Sequence, residues 1–518
     1  MSIQKIPTGL VIISNEVGPP EPSAAKVILG NSDVTKIVKN ENVSFDKKFI
    51  NPLFFYCFDK RQIYISYKLM TTKRLQKIKI PISIYFESSQ IPEKFKEMNF
   101  DKFASFSVIR LEKRVLVNLE KISKLNILQK NYKLLLIGSA LSKYCKSGNF
   151  FIDYYGCKFT DIKNFLLGWN LINYRFDKFK FNKEKKDSAK LDHELNREVK
   201  SLTESYFFVR DLINTPANIL GPKEIFEEAK KFLKKFTLVE FISGKKLEKS
   251  FPLISAVGQG ADDSKKPIFC EFKFNKKKSK KKVYLIGKGV SFDTGGLNIK
   301  TGSGMSLMKK DMGGAANCIG LAKLISEFNL DIDLRLLLCL VENSISKKSI
   351  RPSDIIKSRE GSFVEIGDTD AEGRLILADA LSYACEKDAD LIIDMATLTG
   401  ASRVAMGTEV PSFFCNNENL ALKLTNSSKR TGDPLWELPL WENYISQLNS
   451  AHADFKNIGN SMFGGAITAA LFLQKFVKKN TPWIHIDLMA WTRANKFSSY
   501  EGGEAMGIRA LLDLVKTV

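Results

Sequence analysis

Val283-Tyr284-Leu285-Ile286-Gly287-Lys288-Gly289-Val290-Ser291-Phe292-Asp293-Thr294-Gly295-Gly296 is the stretch on which the reading of this chain turns. Its first four residues are apolar and β-prone, which predicts a strand buried on both faces. A lysine and an aspartate among glycines follow, just past the predicted carboxyl end of that strand. Downstream, the pattern alternates. A helix is expected over Gly313 to Phe328, a strand over Asp333 to Val341, a helix over Gly373 to Glu386 and a strand over Asp390 to Ala396. A further helix over Gly464 to Val477 and a strand over Trp483 to Met489 complete the series. Fully apolar runs separated by helices predict an α/β fold, with a mostly parallel central sheet flanked by helices. Ligands of such sheets bind beyond the carboxyl ends of the strands. Lys288 and Asp293, Thr397 to Gly400, and Thr492 each follow a strand, so these residues are expected to converge on one edge.

At 518 residues the chain exceeds one ordinary core. The region up to about Phe181 mixes strand-like runs, such as Arg61 to Tyr67, with amphipathic helical stretches. A charged tract, Lys178 to Asp187, reads as a linker. The expected division is a smaller N-terminal α/β domain over 1–188 and a catalytic domain over 189–518. A helix pattern from Leu191 to Leu212 opens the second part, and Asn214-Thr215-Pro216-Ala217-Asn218 stops it because proline blocks continuation.

A hydrophobic content of 44% and a charged content of 26% are those of a soluble globular protein. No apolar run is long enough to span a bilayer. Met1 to Ala25 lacks the pattern of a secretory signal, so a cytoplasmic location is expected. The net charge of +22 invites a nucleic-acid reading. Its densest lysine run, Lys276 to Lys282, reads instead as a solvated turn between strands, without the aromatic residues that would stack on bases. The eight cysteines form no Cys-x-x-Cys pair and read as reduced packing residues. With only three histidines, His193, His452 and His485, neither a histidine zinc site nor a Ser-His-Asp triad is easily assembled.

The chemistry must therefore come from carboxylates and lysines. Asp293, Asp311, Asp370 and Glu372 would repel one another unless cations sat among them. They supply enough oxygen ligands for two divalent ions about 3.5–4 Å apart. Asp370 and Glu372 would both face inwards if their segment were extended. Beside two dications Lys288 could bind as the neutral amine. Lys300 and Arg374 would stay cationic on the open side, facing a substrate oxygen and an anion. That combination describes metal-assisted hydrolysis, in which an acidified water attacks a carbonyl polarised by metal and lysine. Helix capping explains any one of these aspartates alone, but not their joint spacing. Lys309 and Lys310 read as surface charges in so basic a chain.

The segments around Lys288 and Glu372, with Asn214 to Asn218, resemble the leucyl aminopeptidase (cytosol aminopeptidase) family of two-metal exopeptidases, in its bacterial branch. The likeness runs from about Leu191 to Val518. It implies that Lys288, Asp293, Asp311 and Glu372 hold a tightly bound metal, and that Asp293, Asp370 and Glu372 hold an exchangeable one, the ions being Mn2+ or Zn2+. It implies that Lys300 assists the carbonyl and that Arg374 binds a bicarbonate acting as general base. Short peptides with a free N-terminus would be the substrates, and a homohexamer the assembly. A side-chain pocket for the first residue maps onto Met308, Thr397, Gly400, Met489 and Thr492. Met489, where relatives carry a small residue, narrows that pocket and argues against strict leucine preference. Asp368 departs from the family's usual asparagine. The competing readings are a DNA-binding or regulatory protein on the same scaffold, suggested by the charge, and another two-metal hydrolase such as a phosphoesterase, whose clusters usually include histidine.

Overall fold

The structure, a computed structural model, describes residues 79–517 except 86–87, 97, 105, 155–158, 183–187, 194–195, 276–280 and 494–499. Before them it describes the strands Ser2–Ile6, Leu10–Ser14, Ala25–Ile28, Thr35–Val38, Phe54–Cys57 and Gln62–Ser66. Chain contacts separate Met1–Ile80 from Pro81–Val518. In the first unit, four strands pair antiparallel in the order Ser2–Ile6, Leu10–Ser14, Gln62–Ser66, Phe54–Cys57, and Ala25–Ile28 pairs with Thr35–Val38. The linker expected at Lys178 to Asp187 falls partly outside the described residues, as does most of the lysine run Lys276 to Lys282.

The second unit is built on two sheets. A six-stranded one, which includes Lys79–Tyr85 and Arg114–Asn118, carries the helices Ile127–Cys145 and Phe159–Leu171. The larger sheet has eight strands: β1 (Thr237–Ser243), β2 (Ile268–Asn275), β3 (Lys282–Asp293), β4 (Asp333–Asn343), β5 (Leu391–Ala396), β6 (Ser412–Cys415), β7 (Trp436–Glu437) and β8 (Trp483–Asp487). Their spatial order is β1-β2-β4-β3-β5-β8-β6-β7. The centre, β4-β3-β5-β8, is parallel, whereas β1, β2 and β6 pair antiparallel toward the margins. The expected α/β architecture is thus present.

Six helices matter for the site: α1 (Asn196–Asn214), α2 (Gly313–Glu327), α3 (Glu372–Glu386), α4 (Gly400–Met406), α5 (Gly465–Gln474) and α6 (Ile508–Val515). Alternation along β3 divides its side chains between the two faces. Tyr284, Ile286 and Val290 pack into one core with Leu375, Ile376 and Leu377 of α3 and Leu471 to Leu473 of α5. Each large aliphatic side chain removed from water in this way stabilises the fold by about 1.5–3 kcal/mol. On the opposite face, Gly287 leaves room for α2, whose Ala315 Cα would lie 2.5 Å from a Cβ there.

Two boundaries differ from expectation. β3 continues through Lys288 to Asp293, so these side chains belong to the strand's end rather than to a loop beyond it. Its pairing with β4 continues to Asp293 opposite Asn343 and sustains the longer strand. The helix expected from Leu191 begins at Asn196, because Lys190–Asp192 pairs as a strand with Asn149–Tyr154. His485 lies within β8, as its alternation with apolar residues suggests, with Nδ1 2.5 Å from Asp394. Cys145, Cys270, Cys318, Cys339 and Cys385 are buried free thiols. No helix among the described residues is long and apolar enough to cross a membrane.

Candidate metal centre and active site

The carboxyl ends of β3 and β4 and the amino end of α3 meet, and there the predicted ligands come together. Lys288 and Glu372 are both almost fully buried. Lys288 Nζ lies 2.8 Å from Asp311 Oδ2 and 2.8 Å from Glu372 Oε1, and donates a hydrogen bond to the Thr397 carbonyl at 3.1 Å. Lys300 Nζ lies 2.8 Å from Asp293 Oδ2 and touches Asp370. The four carboxylates and two lysines singled out in the sequence therefore form one cluster.

Local chemistry explains how they are held. After Asp293 the chain turns through Gly295 and Gly296, both with positive φ, which glycine adopts without strain. Asp293 Oδ1 accepts from the Gly295 amide at 2.9 Å and from Asn343 Nδ2 at 2.8 Å, which aims its other oxygen inward. Thr369 fastens the second segment to the first: its hydroxyl donates to the Gly295 carbonyl at 2.6 Å and accepts from the Asn298 amide at 2.8 Å. Asn298 Oδ1 accepts in return from the Thr369 amide at 2.9 Å. Asn457 Nδ2 donates to the Asp368 carbonyl at 2.7 Å, while its Oδ1 accepts from the Gly367 amide at 2.7 Å. Asn298, Asn343 and Asn457 are positioning residues that the sequence did not reveal, because isolated asparagines carry no spacing signal.

The expectation that Asp370 and Glu372 share one face of an extended segment is corrected. Asp370 lies in a turn and Glu372 is the first residue of α3. Asp368 makes that turn, its Oδ1 accepting from the Asp370 amide at 2.8 Å. An asparagine oxygen accepts the same bond, which is the physical reason an aspartate is compatible with this position. Gly373 is required by close approach, since a Cβ there would stand 2.6 Å from Lys288 Cε.

The electrostatics are those of a site built around missing positive charge. Burial, then Asp293, raises the Glu372 carboxyl well above its ordinary range. The same two causes push Asp370 up to about 6. Burial disfavours the Lys288 ammonium, but Asp311, Glu372 and Asp293 outweigh it and raise its pKa. Burial would raise Asp311 too, yet Lys288 holds it below its usual range. Among these groups alone Lys288 is an ammonium; divalent charge at the same place favours the amine. Asp293, Asp370 and Glu372 each place an oxygen so that all lie within 4.8 Å of one another. Asp311 Oδ2, Asp370 Oδ1 and Glu372 Oε1 are buried and accept no aligned hydrogen bond. Convergent, buried carboxylate oxygens that face only the lysine ammonium groups fit a hard or borderline divalent cation, and Lys288 Nζ lies within the same cluster.

Arg374 does not stand on an open side as expected, being only 7% exposed. Its Nη1 donates to the Asn457 carbonyl at 2.8 Å, whereas its Nε is buried without a partner. Burial pushes it down to about 10, so it remains a cation with a free donor at neutral pH. Of the proposed pocket residues, Thr397 donates to Asp311 Oδ1 at 2.6 Å, and Met308 opens the 3-10 turn Met308–Lys310 that Asp311 follows. Gly400 begins α4, and Met489 is buried next to Ala490, the residue a Cβ on Gly313 would strike. Thr492 faces Glu504 at 3.5 Å and lines a cavity with Tyr132, Arg210 and Arg509.

Lys310 is not a surface charge, and Lys309 is half-buried. Lys309 donates to the Asn214 carbonyl at 2.9 Å and lies over the Trp491 ring. Lys310 is 2% exposed, and burial followed by the neighbouring charge of Arg403 pushes it down to about 7. The sequence reading missed this because a lysine in a lysine-rich chain carries no mark of burial.

The sequence profile of the cytosol aminopeptidase family, catalytic domain, matches residues 207–512. A probable cytosol aminopeptidase of Persephonella marina is 41% identical over 329 residues, which is 61% of this chain and 66%, just under two thirds, of the relative. The crystal structure of cytosol aminopeptidase from Coxiella burnetii superposes with a TM-score of 0.76 at 37% identity, covering 85% of this chain and 97% of that one. The bottromycin maturation enzyme BotP in complex with Mn superposes with a TM-score of 0.74 at 25% identity, covering 85% of this chain and 99% of that one.

Proposed function

Since the chain belongs to the cytosol aminopeptidase family, we propose that it is a metalloaminopeptidase that releases N-terminal residues from short peptides with a free amine. The observation that carries this reading is the cluster of Asp293, Asp311, Asp370 and Glu372 around Lys288 and Lys300, with three carboxylate oxygens lacking aligned donors. Lys288, Asp293, Asp311 and Glu372 would hold one divalent ion, and Asp293, Asp370 and Glu372 a second. Mn2+ or Zn2+ suits this donor set, and the structural relative BotP is known in complex with Mn. Bound there, the cations supply Lewis acidity and bring the pKa of a water molecule toward neutrality.

The chain's own side chains do the rest. Lys300, with its side chain 16% exposed, is the cation of the cluster that solvent reaches, and it orients the scissile carbonyl and holds the charge that develops on its oxygen. Arg374, through its free Nε, would hold a bicarbonate, and such an anion would supply a general base beside the cluster. Met308, Thr397, Gly400 and Met489 would shape the pocket for the first side chain, whereas Thr492 lines the cavity with Arg210 and Arg509. In this reading residues 189–518 are the catalytic domain, residues 1–188 an N-terminal domain, and the assembly is a cytoplasmic homohexamer.

Elemental analysis of the purified protein, combined with a panel of aminoacyl amides, tests the proposal. Two equivalents of divalent metal per chain and cleavage of unblocked amides are expected. Undiminished turnover of N-acetylated peptides would exclude an exopeptidase.

A further inference from the structure

Just beyond β5, one residue touches the charged cluster twice. The Thr397 carbonyl accepts from Lys288 Nζ at 3.1 Å, and the Thr397 hydroxyl donates to Asp311 Oδ1 at 2.6 Å. With Oδ1 taken, Asp311 turns Oδ2 toward Lys288 Nζ at 2.8 Å. Lys288 and Asp311 are the two groups that distinguish the first proposed metal position from the second. Thr397 orients both.

What orients Thr397 lies in another strand. The ladder between β5 and β8 ends where Ala396 faces Asp487, one residue short of Thr397. Asp487 takes over from there. Its Oδ1 accepts from the Leu398 amide at 3.0 Å, and its Oδ2 accepts from the Thr399 amide at 3.0 Å and the Thr399 hydroxyl at 2.6 Å. The Thr399 hydroxyl accepts in turn from the Ser402 amide at 3.0 Å, at the start of α4. The Ser402 hydroxyl bonds that of Ser412, on β6, at 2.7 Å. One carboxylate therefore gathers the donors of the two residues that follow Thr397, which fixes the direction of the Thr397 carbonyl.

Asp487 is 2% exposed and makes no ion pair among the described residues. Burying a carboxylate without a cation is costly. Three donors offset that cost, and only a group that accepts at both oxygens can take them all. Asparagine, with one acceptor oxygen and a donating nitrogen, would set N–H against N–H.

We infer that Asp487 is a positioning residue for the metal centre: by holding the turn Thr397–Thr399 it aims Thr397 at Lys288 and Asp311, and so sets the affinity of the metal position those two residues define. This rests on the two-metal reading above. Asp370, which belongs to the second position alone, is held from elsewhere, by the Asp368 turn. The two positions should therefore respond differently to a change at Asp487.

Co2+ titrated into the full-length protein after chelator treatment, followed by visible absorbance and elemental analysis, tests this. The unmodified protein should take up two equivalents. Asp487→Asn should weaken one binding step by about tenfold to a hundredfold and alter its absorbance, while the other step stays within about threefold. Thr399→Val removes one donor to Asp487 and keeps the carboxylate. It should weaken the same step by about threefold to tenfold, and it decides the matter if Asp487→Asn does not fold. Thr397→Val combined with Asp487→Asn should weaken that step by less than the product of the single effects, since both act through the contact to Asp311. Unaltered binding steps in the Asp487 and Thr399 variants, with only the denaturant midpoint lowered, would overturn the inference and leave the peptidase reading standing. Equal weakening of both steps would overturn it as well. Uptake of fewer than two equivalents by the unmodified protein would overturn the two-metal reading itself.

Discussion

Two buried charge clusters of this molecule differ in whether their books of donors and acceptors close. In the cavity against the helix Ile127–Cys145, Arg210 reaches Glu504 through contacts of 3.0 and 3.1 Å and donates to the Leu171 carbonyl at 3.1 Å. Arg509 there donates to Tyr206, Asn164 and the carbonyls of Thr431 and Gly432. Each guanidinium has a partner, so this cluster ties distant segments of the chain together. At the end of β3 the carboxylates outnumber the lysines, and Asp311, Asp370 and Glu372 each leave an oxygen without an aligned donor. A self-satisfied buried cluster is structural; an unsatisfied one is a site held ready for something that is not side chain.

That contrast can be broken most forcefully at Glu372, which both proposed metal positions share. Glu372→Ala should remove metal and lower kcat/KM by more than about a thousandfold, while circular dichroism stays native. Retained metal in that variant would show that the unsatisfied oxygens are not ligands. Lys300→Ala should lower kcat by about a hundredfold to a thousandfold and keep the metal content, as read by elemental analysis beside steady-state kinetics. In the satisfied cluster the loss should appear as stability. Arg210→Met strands Glu504 and should cost about 3–5 kcal/mol in denaturant unfolding, without lowering the metal bound per folded chain.

Acid sharpens the comparison. Protons compete with cations for carboxylates whose pKa is raised, and Asp370 is pushed up to about 6 by burial and Asp293. A raised carboxyl is protonated as pH falls through that value, so metal should be released mainly below about pH 6, as followed by a chelating dye. The smallest effect is expected at Asp368, whose charge contributes to raising Asp370 while its Oδ1 accepts the Asp370 amide. Asp368→Asn keeps the acceptor and removes the charge, so it should preserve the fold and shift metal release to slightly lower pH.

The sequence made the candidate ligand set legible because metal chemistry constrains residue type and spacing together. Lys288, Asp293, Asp311, Asp370, Glu372, Lys300 and Arg374 could be named from two short segments. The alternation of apolar runs and helices likewise foretold the parallel centre β4-β3-β5-β8, since a strand buried on both faces must be apolar throughout. Other features depended on neighbours distant in the chain. The asparagines at 298, 343 and 457 acquire their function only where they meet the backbone of Thr369 and Asp368. Glu372 faces the cluster as the first residue of a helix, an orientation a strand period cannot describe.

What the sequence alone determined is therefore the fold class and the residues of the carboxylate–lysine cluster, because these follow from hydrophobic period and from functional groups that only certain residues carry. What the tertiary structure decided is burial and partnership. Lys310 and Arg403 are ordinary basic residues in a chain with a net charge of +22. Packing alone buried Lys310 to 2% exposure and left Arg403 Nη1 without a partner, because solvation and pairing are properties of the surroundings of a side chain and not of the side chain itself.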